Sequence, residues 1–362
     1  MKILILSVGS VPGQNALDAL EGRREQVEVL GTNSDPWSPN NYRCDKVCLV
    51  PLGSDEPAFS ERLLSIITTE SPDLILAGRD QDVFAMASWW EKCPWLRASL
   101  SCGGPEPERI IRDKFLSSCF ALENGLRFAE SAVARPDLDR LVERHGFPLI
   151  AKPREGFGSV DVFVVHNVEQ MRALEAMGGF VFQEYLAPPK ELEGLRAKLA
   201  LGTPLNFSIP EEGQYSCQTI ISPSGDLSDI CCTLNRMNSG VSYRAERVYD
   251  PDLTGLARGF AQAMAKLGWA GPFNLQCKRL PTGEFVGFEM NGRMTATTSA
   301  RLHLGFDELG SMARMFVGGG WLNDLTISKP PRQWVTKART DRCVRDEDAA
   351  KLLRIGSWTP SS

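Results

Sequence analysis

Phe288-Glu289-Met290-Asn291-Gly292-Arg293 carries the strongest local signal in the chain, and Asn274-Leu275-Gln276 precedes it across a turn at Pro281-Thr282-Gly283. In extended backbone Glu289, Asn291 and Arg293 lie two apart and project from one face. Gln276, on the preceding strand of the hairpin, is placed to share that face. Oxygen atoms from Glu, Asn and Gln side chains are what a hard Mg²⁺ ion accepts, with water and nucleotide phosphates completing its shell. Arg293 is spaced to meet those phosphates or a developing charge. The plain alternative is an exposed polar strand face, since alternation by itself signals only a half-buried strand.

Around this hairpin, extended segments over 180–184, 215–221, 227–234, 273–279 and 284–290 are separated by turns such as Pro223-Ser224-Gly225, which suits antiparallel pairing. A helix over 252–267 lies among them, another over 306–316 follows, and 187–213, with Pro188-Pro189 and a helical run over 190–201, reads as an excursion between strands. Upstream, the apolar strand 148–152 ends in Lys152 and opens into a loop containing Gly156, Gly158 and Ser159 before a strand over 160–165. Glycines let backbone N–H groups approach an anion closely, and the lysine adds a point charge. A hairpin with an incidental lysine at its base fits the same residues. One amphipathic helix is expected over 105–125, closed by Gly125, with Lys114 on its exposed side; a second helix spans 137–145.

The first hundred residues alternate differently: strands over 3–6, 27–30 and 73–77 are separated by helices over 15–21 and 59–70, the pattern of a parallel sheet covered on both faces. Gly9 and Gly13 after the first strand lack dinucleotide-loop and Walker spacing and read as a tight turn. Asp80-Gln81-Asp82, just past the strand at 73–77, suits either a ligand contact or a helix N-cap. The expected class is therefore α/β plus α+β, a parallel α/β domain followed by antiparallel sheets.

With 362 residues the chain has room for two or three domains, and 40 Lys and Arg against 45 Asp and Glu leave a net charge of -5. That balance gives no global case for nucleic acid or an acidic membrane. Ser7 and Gly9 interrupt the short apolar run at 3–6 before a signal peptide or span forms, so a cytoplasmic location is expected. The ten cysteines are scattered without Cys-x-x-Cys, and His145, His166 and His303 are the only histidines; buried reduced thiols are expected. No nucleophile elbow, His-Glu-x-x-His or thiol-protease signature appears, which leaves electrostatics and metal-bound phosphate as the chemistry of an enzyme built from these residues.

Taken in order, the motifs resemble the ATP-grasp superfamily, in particular its carbamoyl-phosphate-synthase-like and amino-acid-ligase branch. The resemblance covers roughly residues 1–310. Asn33-Ser34-Asp35 and Cys44-Asp45-Lys46-Val47 resemble the domain that precedes the ATP-grasp lobes, and Asp113-Lys114-Phe115 with Asn124-Gly125-Leu126 resembles the first basic residue and its helix. Lys152-Pro153 and Gly156-Phe157-Gly158-Ser159 resemble the second basic residue and the mobile glycine loop. Gln183-Glu184-Tyr185-Leu186 resembles the hinge between lobes, and Gln276, Glu289, Asn291 and Arg293 the metal and phosphate positions. Two departures stand out: Asn291-Gly292-Arg293 replaces the usual Asn-Pro-Arg, and Gln214 best matches the position of the ribose-binding Glu.

The resemblance implies a domain at 1–104, a small lobe at 105–186, a large lobe with the metal site at 187–330 and an extension at 331–362. It implies ATP and Mg²⁺ (or Mn²⁺) as cofactors, with Lys114, Lys152, Gly156, Gly158, Ser159, Glu184, Tyr185, Leu186 and Gln214 around the nucleotide. Gln276, Glu289 and Asn291 would hold the metal, and Arg293 and Lys152 would act in catalysis. The implied reaction joins a small-molecule carboxylate and an amine through an acyl phosphate, releasing ADP and phosphate; Arg244 or Arg247, with Thr297-Thr298-Ser299, would hold an acceptor carboxylate. An ATP-binding regulator without ligase activity, and an enzyme with a thiol or carbamate acceptor, remain as alternatives, and the assembly is open, a homodimer included.

Overall fold

The computed structural model describes residues 1–156, 160–187, 193–194, 196–197, 213–238, 241–318, 333–338 and 343–360. The N-terminal sheet contains β1 (Lys2–Ile5), β2 (Glu28–Asn33), β3 (Lys46–Leu49) and β4 (Leu74–Leu76), all parallel, in the order β3-β2-β1-β4. Helices α1 (Val11–Leu20), α2 (Glu56–Glu70) and α3 (Asp80–Lys92) connect or follow these strands. Strands buried on both faces explain the unbroken apolar runs: Ile3, Leu4, Ile5, Leu74, Ile75 and Leu76 are all fully buried. The glycines after β1 serve packing. A Cβ on Gly13 would come within 2.6 Å of the Val8 carbonyl oxygen, and one on Gly9 within 2.4 Å of Asn33 Nδ2.

The single helix expected over 105–125 is two, α4 (Pro105–Arg112) and α5 (Lys114–Glu123). Asp113, with φ -90° and ψ 110°, leaves the helical region, and its carboxylate accepts from the N–H groups of Phe115 (2.9 Å) and Leu116 (3.3 Å). An Asp at this point starts a new helix because its side chain satisfies donors that the first turn cannot.

A four-stranded antiparallel sheet follows, built from β5 (Ser131–Ala132), β6 (Leu149–Pro153), β7 (Phe163–Val165) and β8 (Phe180–Glu184) in the order β5-β8-β6-β7. Helices α6 (Asp137–His145) and α7 (Val168–Met177) cover it through a core of Leu138, Leu141, Leu149, Met171 and Phe182. The expected strand over 160–165 is shorter than read, and Phe157, Gly158 and Ser159 lie outside the described residues.

The large sheet contains β9 (Gln214–Ile221), β10 (Cys231–Asn238), β11 (Val241–Val248), β12 (Gly271–Arg279), β13 (Phe285–Asn291) and β14 (Trp334–Thr336), every pair antiparallel, in the order β13-β12-β9-β10-β11-β14. Helix α8 (Pro251–Lys266) shares one core with it, where Leu253, Phe260 and Met264 join Cys217, Cys232, Leu275 and Cys277. Near the sheet's other edge Ala300 of α9 (Thr298–His303) and the adjoining Leu304 pack on Ala245 and Val335. The helix expected over 306–316 is the short α10 (Glu308–Met312) followed by a wider turn at Ala313–Val317. The C-terminal extension returns to the start of the chain: α11 (Asp346–Ile355) leads into β15 (Ser357–Trp358), which pairs antiparallel with β3. The expected excursion and its helical run over 190–201 lie almost wholly outside the described residues.

Candidate active site

The proposed metal ligands come together on adjacent strands. Gln276 stands directly opposite Glu289, and Asn274 directly opposite Asn291. Opposed residues of an antiparallel pair share a face, so four oxygen-bearing side chains form one patch. Beneath it, the buried Asn274 donates through Nδ2 to Ser216 Oγ (2.9 Å) and to the Cys217 carbonyl (3.1 Å). Ser216 Oγ also accepts from Arg301 Nη2 at 2.8 Å, and the fully buried Arg301 faces Glu308. Asn274 Oδ1 and Asn291 Nδ2 are buried without a hydrogen-bond partner among the described residues. Neutral and anionic oxygens with spare coordination capacity fit a hard divalent cation, and residues Gln276, Glu289 and Asn291 are the ones that would hold it.

Two lysines face this patch from the opposite side. Lys114 is not on an exposed helix face: it opens α5 and is buried, its Nζ donating to the Gly156 carbonyl at 2.9 Å and its N–H to the Arg154 carbonyl at 2.9 Å. The break at Asp113 turns it inward. Asp113 also receives Arg154 Nε at 2.9 Å, so the α5 cap and the base of the glycine loop share one carboxylate. Lys152 Nζ donates to Gln183 Oε1 at 2.8 Å, and Gln183 Nε2 donates onward to Ser131 Oγ at 2.9 Å. The β12–β13 register shifts beside Gln276, and Phe288, next to Glu289, sets its ring centroid 4.9 Å from Lys152 Nζ. Burial pulls the Lys152 ammonium down to about 8; Glu289 opposes that shift, and Lys114 and Lys278 add to it.

Arg293 leaves the end of the metal strand and meets the N-terminal domain. Its Nε donates to Asp80 Oδ1 (2.7 Å), its Nη2 to Asp80 Oδ2 (3.1 Å) and its Nη1 to the Met294 carbonyl (3.2 Å). The two readings of Asp80-Gln81-Asp82 therefore divide between its acids. Asp82 is fully buried and accepts from the Gly78 and Arg79 N–H groups and from Ser7 Oγ, and burial raises it to about 6. Asp80 instead reaches the site. Gly292 has a packing reason: a Cβ there would lie 2.4 Å from the Trp269 ring. Asp80, Glu108, Lys114, Gly156, Glu289 and Asn291 line one cleft between these elements. Glu108, paired with Arg112 Nε at 2.7 Å, is held up near 6 by burial.

At the hinge, Gln183 and Glu184 project to different partners. Glu184 turns away from Lys152: its Oε1 accepts from the Glu130 N–H at 3.0 Å and its Oε2 lies 3.4 Å from His145 Nδ1. Gln183, one residue earlier, is the hinge side chain that touches a site lysine, and strand alternation about Glu184 was the signal that separates the two. Tyr185 and Leu186 follow as half-buried, non-strand residues, and Gln214 opens β9 beside Asn235 of β10. Arg247 is opposite Thr233, which is opposite Ser216, which is opposite Gln276, so it shares the face of the metal patch; its Nε and Nη1 are buried without partners among the described residues. Arg244, three residues earlier on β11, takes the other face, with Glu246 at 2.9 Å and the Trp334 ring at 5.2 Å. Ser299 of the Thr297-Thr298-Ser299 turn is anchored on α1, its Oγ 2.8 Å from Asn15 Oδ1.

No protein-family model and no curated protein matches the chain. Solved structures do. The N5-carboxyaminoimidazole synthetase of Staphylococcus aureus complexed with ADP aligns over 88% of this chain and 77% of its own, at TM-score 0.64 and 12% identity. The biotin carboxylase of Campylobacter jejuni aligns over 88% and 71%, at TM-score 0.64 and 14% identity. The L-amino acid ligase of Bacillus licheniformis aligns over 89% and 74%, at TM-score 0.61 and 14% identity. The chain has the ATP-grasp fold. No helix among the described residues is long and apolar enough to cross a membrane.

Proposed function

We propose that this protein is an ADP-forming ligase that joins a carboxylate to an amine through an acyl phosphate. The observation that carries the reading is the meeting of Lys114 with Glu289 and Asn291 in one cleft, with Lys152 under the influence of Glu289 and Gln276 opposite Glu289 on the next strand. Two ammonium groups facing an oxygen-ligand patch suit a metal-bound polyphosphate, for which positioning and charge neutralisation supply most of the catalysis.

In this reading Lys114 and Lys152 bind phosphate oxygens, and Gln183 keeps Lys152 aimed at them. Bound Mg²⁺ would neutralise phosphate charge and orient the γ-phosphoryl group. The substrate carboxylate attacks the γ-phosphorus, the bond to ADP breaks, and an acyl phosphate forms. The amine then attacks the acyl carbon, a C–N bond forms, and phosphate leaves with the C–O bond electrons while the amine gives up a proton. Arg293 stabilises the transferring phosphoryl group, and Arg247, with its unpartnered N–H groups, receives an acceptor carboxylate. Gly156 borders the phosphates beside Lys114, and Tyr185, Leu186 and Gln214 border the nucleoside.

The test is ADP and phosphate release with Mg²⁺ and ATP over amino acids and small carboxylates, offered singly and in pairs. Release that requires one particular pair, with a new amide in the product, is the expected result. Tight ATP binding with no release for any pair would favour a nucleotide-binding regulator.

A further inference from the structure

Asp80 lines the cleft from the N-terminal α/β domain, and its carboxylate is the main partner of an arginine 213 residues away in sequence that directly follows the cleft residues Asn291 and Gly292. The contact is two-point. Asp80 takes Nε and Nη2, and the Met294 carbonyl takes one hydrogen of Nη1. A guanidinium has five N–H groups, so one on Nη1 and one on Nη2 remain to meet oxygens of a phosphate or carboxylate. Both partners are partly buried, with side-chain exposures of 12% for Arg293 and 27% for Asp80. Asp80 sits at the first position of α3, where the helix N-terminus favours its charge and the helix holds its backbone. A rigid element therefore fixes the plane of the guanidinium, which a flexible side chain alone does not do.

We infer that Asp80 is a positioning residue that clamps Arg293 by one edge so that its remaining N–H pair receives an oxyanion in the cleft. The inference rests on the ligase reading for the identity of that oxyanion, a phosphoryl group, but not for the clamp itself. It makes the N-terminal domain a working part of the site. The cleft wall also includes Glu108 and Glu289, so an unclamped guanidinium has carboxylates to collapse onto, and the oxyanion then loses its donors.

Inorganic phosphate is the probe, titrated calorimetrically into the full chain with and without Mg·ADP, in wild type, D80N, D80E, R293A and D80N/R293A. The expected result is at least tenfold weaker phosphate binding in D80N and in R293A, no further loss in the double variant, partial recovery in D80E, and an unchanged far-UV circular dichroism spectrum that reports intact folding. A purely structural contact between domains would lower the melting temperature of D80N without moving the phosphate affinity, and that pattern overturns the proposal. So do additive losses, or a wild type that binds no phosphate. Failure of Mg·ADP to bind, with the phosphate cycle behaving as expected, would remove the ligase reading and leave the clamp standing.

Discussion

Lys152 takes its chemistry from its surroundings. Burial makes its charged form costly, Glu289 recovers part of that cost, and Lys114 and Lys278 add to it, leaving the ammonium near 8 in place of its ordinary 10.5. The charge that binds phosphate is therefore lost as pH rises through about 8. Mg·ADP affinity is expected to fall between pH 7 and pH 9, by up to about tenfold per unit above the pKa, while K152M binds weakly and without that slope; fluorescence titration at each pH checks it. Stability moves the other way. Between about 8 and 10.5 the unfolded chain carries more protons on this lysine than the folded one, so folding gains with pH across that window, and K152M should flatten the rise in urea midpoint. Glu289 is the second decisive residue. E289Q keeps the shape of the patch and removes its charge; a loss of ADP release of at least a hundredfold with an unchanged melting temperature is expected, and wild-type turnover in E289Q would remove the metal assignment.

At the scale of elements, Asp113 does the most with one side chain. Its Oδ1 caps α5 and its Oδ2 holds Arg154, so it aims Lys114 and fastens the base of the glycine loop together. D113A is expected to cost about 1–2 kcal/mol through the cap, read from urea unfolding, and to weaken Mg·ADP binding as Lys114 loses its setting. The hairpin β12–β13 was readable because its face alternates polar and apolar in plain order, and the strand over 180–184 coincides with β8 because the short apolar run Phe180-Val181-Phe182 follows the turn glycines Gly178 and Gly179. The break at Asp113 was not, because a helical period of apolar residues runs through it unchanged; the cap shows only when the backbone leaves the helix. Strand β11 was missed as well. Tyr243, Arg244, Glu246 and Arg247 give it no apolar alternation, and among its described residues Ala245 is the one fully buried apolar side chain, so it stands as a strand through pairing with β10 and β14.

For the whole molecule, the cleft depends on how the N-terminal sheet and its helices dock against the large antiparallel sheet. Arg293–Asp80 is one fastening. Arg23, almost fully buried at the end of α1, is another; its Nη1 lies 3.1 Å from Asp307 Oδ1, just before α10. R23A strips Asp307 of this partner, and about 3 kcal/mol of stability should be lost, measured by urea denaturation. The C-terminal β15 adds a further tie, since Trp358 donates to Asp348 Oδ1 at 2.9 Å and packs edge-on against Tyr42 beside β3.

The amino-acid order alone carried the parallel-then-antiparallel architecture and the shared strand face of Gln276, Glu289 and Asn291, because each is written in local periodicity or in the spacing of a few polar residues along a strand, whereas it put Lys114 on an exposed helix face. What tertiary structure decided was which of those groups face one another. Asp80 and Arg293 are 213 residues apart, and nothing local distinguishes the acid that reaches the site from Asp82, which caps its own helix. Gln183 and Glu184 are neighbours of similar chemistry, separated only by the face of β8 from which each projects. Side-chain chemistry is a property of residues, whereas burial, charge pairing and the pKa values that follow are properties of neighbours, and neighbours exist only once the sheets have closed around the cleft.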